Sequence, residues 1–60
     1  MTVVYLGGKA DGTVRDKQSS AATYIMLLYL GSFRYVEEVY IPIGRIRNTI
    51  FVKYLYTRLT

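Results

Sequence analysis

The chain has 60 residues, 52 % of them hydrophobic and seven of them Tyr, with no Cys and no His. At this size only roughly 60 % of the unfolded surface can be buried, and the missing residue types exclude disulfides and the usual zinc ligands as supports for a thin core. The net charge of +4 is uneven: residues 1–38 sum to zero, whereas Arg45, Arg47, Lys53 and Arg58 stand in residues 39–60 without a single acid.

The elements read in order as β structure within one small domain, 1–60. Thr2–Leu6 (TVVYL) is β-branched and aromatic, so it is expected to be a strand that Gly7-Gly8 stops. KADG at 9–12 is turn chemistry, with Asp11-Gly12 suiting a tight turn and 13–17 the return strand. Thr23–Leu30 (TYIMLLYL) and Phe33–Ile41 (FRYVEEVYI) flank Gly31-Ser32, which matches a two-residue type II′ hairpin. Counting outward from that turn sets Leu30 against Phe33, Leu28 against Tyr35, Met26 against Glu37 and Tyr24 against Val39 as the more apolar face. The other face is mixed, with Tyr29 opposite Arg34 and Ile25 opposite Glu38. Both faces are apolar enough to need cover. Pro42 is expected to end that strand or to lie at an edge. IGRIRN at 43–48 reads as a Gly-containing connection, and Thr49–Leu59 (TIFVKYLYTRL) as the last strand.

The expected fold is therefore all-β: a small barrel-like or curved antiparallel sheet of about five short strands. The rival is α+β, with a helix at about 19–30 capped by Ser19 or Ser20, and/or at 49–59, where helical spacing also fits. MTVVYLGG lacks the basic start of a signal peptide, and the absence of Cys fits an intracellular protein, cytoplasmic or in a host's cytoplasm. The longest uncharged run, Gln18 to Phe33, is interrupted by polar residues and is too short for a membrane span.

Enzymatic machinery is hard to assemble from these residues. There is no His or Cys, the serines have no evident base, and Glu37 and Glu38 on a strand point to opposite faces. No phosphate-loop or dinucleotide pattern occurs; GGK at 7–9 is too short to be specific. No metal site and no cofactor are expected. The reading that remains is non-catalytic binding of nucleic acid, with phosphates at Arg45, Arg47, Lys53 and Arg58 and stacking on Tyr54 or Tyr56. Strict alternation places Tyr54, Tyr56 and Arg58 on one face of the last strand. Lys53 then lies with Phe51, Leu55 and Leu59 on a core face, reaching its rim by snorkelling. A second patch is Tyr29 opposite Arg34, with Tyr40 further along. Size and greasiness point to a homodimer. The competing function is a small viral or mobile-element regulator that grips a host protein through a hydrophobic sheet face or strand edge. The composition, rich in Tyr and Ile and free of Cys, is similar to that of small proteins from archaeal viruses and thermophiles, although no motif carries that resemblance.

Overall fold

A computed structural model describes residues 1–18 and 21–60. It is a single five-stranded sheet, curled into a half-barrel, with no helix among the described residues. The strands are β1 (Thr2–Leu6), β2 (Val14–Asp16), β3 (Tyr24–Gly31), β4 (Arg34–Ile46) and β5 (Thr49–Leu59). Their order across the sheet is β2-β1-β5-β4-β3. All neighbours are antiparallel except β1 and β5, which run parallel from Thr2 opposite Thr49 to Leu6 opposite Lys53. The helical alternatives at 19–30 and 49–59 give way to strand, because Ile, Tyr, Phe and Val fit a pleated, half-buried surface better than a helix buried all round. Ser19 and Ser20, the helix-cap candidates, lie outside the described residues. No described helix is long and apolar enough to cross a membrane.

The concave side holds the core. Val3, Tyr5, Tyr24, Met26, Tyr40, Ile50 and Val52 are buried there together with Ala10. Tyr5 sets its ring edge against Tyr40 at 4.8 Å between centroids. Each large ring removes on the order of 200 Å² from water, which is how so short a chain builds a core at all.

Several local expectations are corrected. Asp11-Gly12 do form a tight turn, closed by the Thr13 N–H donating to the Ala10 carbonyl at 2.9 Å, but that turn is only part of the first hairpin's connection. A longer loop from Gly7 to Thr13 folds over the concave face, with Gly7, Gly8 and Gly12 at φ of 83°, 67° and 81°. Asp11 serves inside it, its carboxylate accepting from the Gly7 N–H at 2.7 Å. The β3–β4 turn uses Ser32 and Phe33, both at positive φ (51° and 64°), in place of Gly31-Ser32. That is the type I′ pattern, and Gly31 pairs with Arg34. Leu30 is an extra residue between the Tyr29–Tyr35 and Gly31–Arg34 pairs. The register is therefore one residue away from the count above: Met26 meets Glu38, Tyr24 meets Tyr40 and Leu27 meets Glu37. A one-residue slip exchanges the faces of a strand, so in β4 Val36, Glu38 and Tyr40 point inward.

β4 also runs on through the predicted connection to Ile46, where Arg47 and Asn48 form the turn into β5. Pro42 is inside the strand and does not end it. It lies beyond the last β3 partner, Tyr40, and next to a bulge at Ile43, so its missing N–H breaks no ladder toward β3.

Candidate nucleic-acid interface

Two sites compete for attention, one on each side of the sheet. On the concave side Glu38 is 2 % exposed. Its carboxylate accepts from the Lys9 N–H at 2.8 Å, the Ala10 N–H at 3.2 Å, the Tyr40 hydroxyl at 2.9 Å and the Thr57 hydroxyl at 3.2 Å. The Tyr40 hydroxyl also accepts from the Ala10 N–H at 3.3 Å and lies 3.0 Å from the Gly7 carbonyl. Burial pushes the Glu38 carboxyl up, but the hydrogen bonds from Lys9, Tyr40, Thr57 and Ala10 outweigh it and hold the group below its ordinary value. Burial, and then the bond to Glu38, push the Tyr40 phenol up to about 12. This constellation ties the 7–13 loop onto β4. It is closed by its own donors and is a structural knot.

The convex side is open. β5 supplies its central row, and a bulge decides which residues join it. Tyr54 pairs with Tyr40 and Tyr56 pairs with Val39, so Leu55 is an extra, unpaired residue. An extra residue reverses the alternation beyond it. Tyr54 therefore points inward, packing on Tyr40 at 5.8 Å, with its hydroxyl on Thr57. Beyond the bulge Thr57 is inward, bonded to Glu38, and Arg58 is outward, with its Nε 2.7 Å from Glu37. Phe51 and Lys53, which precede the bulge, share the outward side with Tyr56 and Arg58. The outer row of β5 thus reads Phe51, Lys53, Tyr56, Arg58, alternating aromatic and cation.

The predicted set is redistributed accordingly. Lys53, Tyr56 and Arg58 come together on the outer face, Tyr56 being 48 % exposed. Tyr54 is withdrawn from that face and half-buried in the concave side. Lys53 does not snorkel from a core face; it is exposed between Ile41 and Leu6 in the register. Arg45 is on β4 rather than in a loop, opposite Ile50, and its Nε donates to the Arg47 carbonyl at 2.9 Å. Arg47 occupies the adjoining turn at φ 55°. Both are exposed at the end of the β4–β5 hairpin; Arg45, paired with the inward Ile50, projects to the concave side, and only the Arg47 turn adjoins the start of the row. Among the described residues, Arg58 is the one cation of these four with a carboxylate partner. The second predicted patch dissolves in part: Tyr40 is fully buried, while Tyr29 lies against Tyr35 at 5.4 Å, both exposed.

Phe51 was the residue missed by sequence reasoning, since strict alternation assigned it to the core with Lys53. A cleft of about 400 Å³, lined by Leu6, Gly7, Ile43, Lys53 and Tyr54, opens beside the middle of the row where β1 ends. It is apolar with one cation at its lip. Comparison with family models, with curated proteins and with solved structures gives no match to this chain.

Proposed function

We propose that the protein is a non-catalytic nucleic-acid-binding module that takes a single strand along the outer face of β5, acts inside the cell and works as a pair of chains. The observation that carries the reading is the Leu55 bulge, which lines up Phe51, Lys53, Tyr56 and Arg58 on one face. Aromatic side chains receive bases by stacking, which tolerates any base, and cations between them receive the phosphates. Arg47, in the turn that adjoins Phe51, extends the positive stripe at one end, while Arg45 projects to the other side and adds only to the overall positive field. Arg58 contributes less, because Glu37 already neutralises it. Two cations beside the row without a carboxylate partner among the described residues, Lys53 and Arg47, give a modest affinity and a shallow salt dependence, with log K falling by about 0.7 per phosphate contact for each tenfold rise in salt on a single strand.

The competing reading, a viral or mobile-element regulator gripping a host protein, uses the apolar part of the same face and has no role for the cations. Anisotropy of a labelled single-stranded DNA or RNA, at about 50 mM and about 200 mM salt, separates the two. Arg45→Glu with Arg47→Glu, and Lys53→Glu alone, are expected to abolish binding without unfolding the chain. Absence of binding to every single strand at the lower salt removes the nucleic-acid reading.

A further inference from the structure

β3 is the outer strand of the sheet, so one side of its backbone from Tyr24 to Gly31 has no strand partner. Such edges are ordinarily protected by charge, by Pro, by a bulge or by shortness. Here the bulge at Leu30 lies near the far end, and the stretch from Tyr24 to Tyr29 that precedes it contains neither charge nor Pro. Its flanking side chains are also uncovered: Ile25, Leu27, Tyr29 and Leu30 are 47–64 % exposed.

We propose that this edge pairs with the same edge of a second copy of the chain, antiparallel about a two-fold axis through Leu27. In that register Leu27 meets its own copy, Ile25 meets the partner's Tyr29 and Met26 the partner's Leu28, the pairing ending at the Leu30 bulge. Every pair is apolar on both faces. Outward residues meet outward residues and inward meet inward, as antiparallel pairing requires. The two half-barrels then share a ten-stranded sheet with no exposed β3 edge.

Charge selects a second copy over another occupant. Two chains of +4 repel each other, yet the uncharged run from Gln18 to Phe33 brings no like charges face to face along this edge. An acidic partner has nothing to pair with here, and a basic one meets the same repulsion without the symmetry. The four exposed side chains offer on the order of 100–150 Å² each, and with the strand's own backbone edge the contact approaches the roughly 600 Å² per partner of a small specific interface. A chain without disulfide or metal ligands gains the support that its size calls for.

The inference is independent of nucleic-acid binding: Lys53→Glu is expected to abolish the latter and leave the mass unchanged. Sedimentation of the full chain is expected to give twice the 6.9 kDa of one chain, and Leu27→Lys to halve that mass while the far-ultraviolet spectrum stays that of a sheet. Because the chain has no Cys, Leu27→Cys creates a unique thiol on the axis. Mild oxidation with oxidised glutathione should convert it to a covalent dimer, and Ile46→Cys, away from the β3 edge, should remain without a cross-link. This cross-link decides the matter if Leu27→Lys fails to fold. A mass of 6.9 kDa at the highest soluble concentration, a dimer that survives Leu27→Lys, or equal cross-linking at both positions overturns the proposal. A single chain that gains mass only with a different protein does so too.

Discussion

The two faces of this sheet solve opposite problems with the same residue types. On the concave face a carboxylate and a tyrosine, Glu38 and Tyr40, are fully enclosed, and donors drawn from three parts of the chain satisfy them. On the convex face tyrosines and cations stand in solvent, and three of the four C-terminal cations have no carboxylate partner among the described residues. Residue type alone therefore does not tell fold from function in so small a chain. What separates them is whether each charged group is already answered by the protein itself, as Glu38 is and Lys53 is not. The knot around Glu38 is complete; the row outside leaves Lys53 without a carboxylate partner among the described residues and Tyr56 half in solvent.

The sharpest way to break that contrast is at Glu38. Glu38→Ala leaves the Lys9 N–H without its acceptor and the Ala10 N–H and Tyr40 hydroxyl with only their weaker alternatives, and losing hydrogen bonds to a buried charge should destabilise by about 3 kcal/mol. Urea unfolding would register this as a large fall in midpoint, and nucleic-acid affinity of the remaining folded fraction should be unchanged. The same group sets the acid limit. Its pKa is lower folded than unfolded, so its stabilisation is complete above the ordinary carboxylate value near 4.5 and fades as pH falls through the folded value. Glu38→Gln should flatten the acid limb of a stability–pH curve. Tyr40 works in the other direction: its phenol is raised from 10.0 to about 12, so the stability it lends is present below pH 10 and is lost between the two values.

Gly8 tests the loop that closes the knot. A Cβ there would lie 2.7 Å from the Tyr40 hydroxyl, 2.7 Å from Tyr54 and 2.8 Å from the Glu38 carboxylate, at a φ of +67°. Gly8→Ala should lose about 2 kcal/mol by thermal or urea unfolding. Gly44, with open space around its Cβ and no positive φ, should accept Ala with little change.

The convex face should behave in reverse. Tyr56→Ala is expected to weaken single-strand binding roughly tenfold, in line with the worth of one stacked base, and to leave the unfolding midpoint nearly where it was. A matched pair gives the smallest effect. The Tyr24 hydroxyl is buried with no hydrogen-bond partner, whereas the Tyr40 hydroxyl has three. Tyr24→Phe should therefore be neutral or stabilising by up to about 1 kcal/mol, and Tyr40→Phe destabilising by about 1–2 kcal/mol.

Much of the architecture was legible because strand formation here follows from local composition. TVVYL and TIFVKYLYTRL became β1 and β5 within the predicted bounds. The faces were not legible, and the reason is physical. Facing depends on parity, and three extra residues, Leu30, Ile43 and Leu55, each interrupt it. Leu and Ile at a bulge look like Leu and Ile in a ladder. Thus Glu37 seemed to intrude on an apolar face, when it is outward on Arg58 and Glu38 is the buried one. The role of Glu38 was equally hidden, because two of its donors are main-chain N–H groups of Lys9 and Ala10, 28 or more residues away. Main-chain donors carry no residue signature. Of the outer row, Lys53, Tyr56 and Arg58 were named from charge and spacing. Tyr54 was expected on that face and Phe51 in the core, and the Leu55 bulge places them the other way round.

The central claim is that the bulge assembles one outward row for a single strand. Backbone and side-chain chemical shifts, followed while an unlabelled single-stranded oligonucleotide is titrated in at low salt, test it residue by residue. The account predicts shifts concentrated on Phe51, Lys53, Tyr56 and Arg58, reaching Arg47 in the adjoining turn, with Tyr5, Tyr24 and Glu38 unmoved. Shifts centred on Tyr54 and the 7–13 loop with the outer row silent, or no shifts at all, would contradict it.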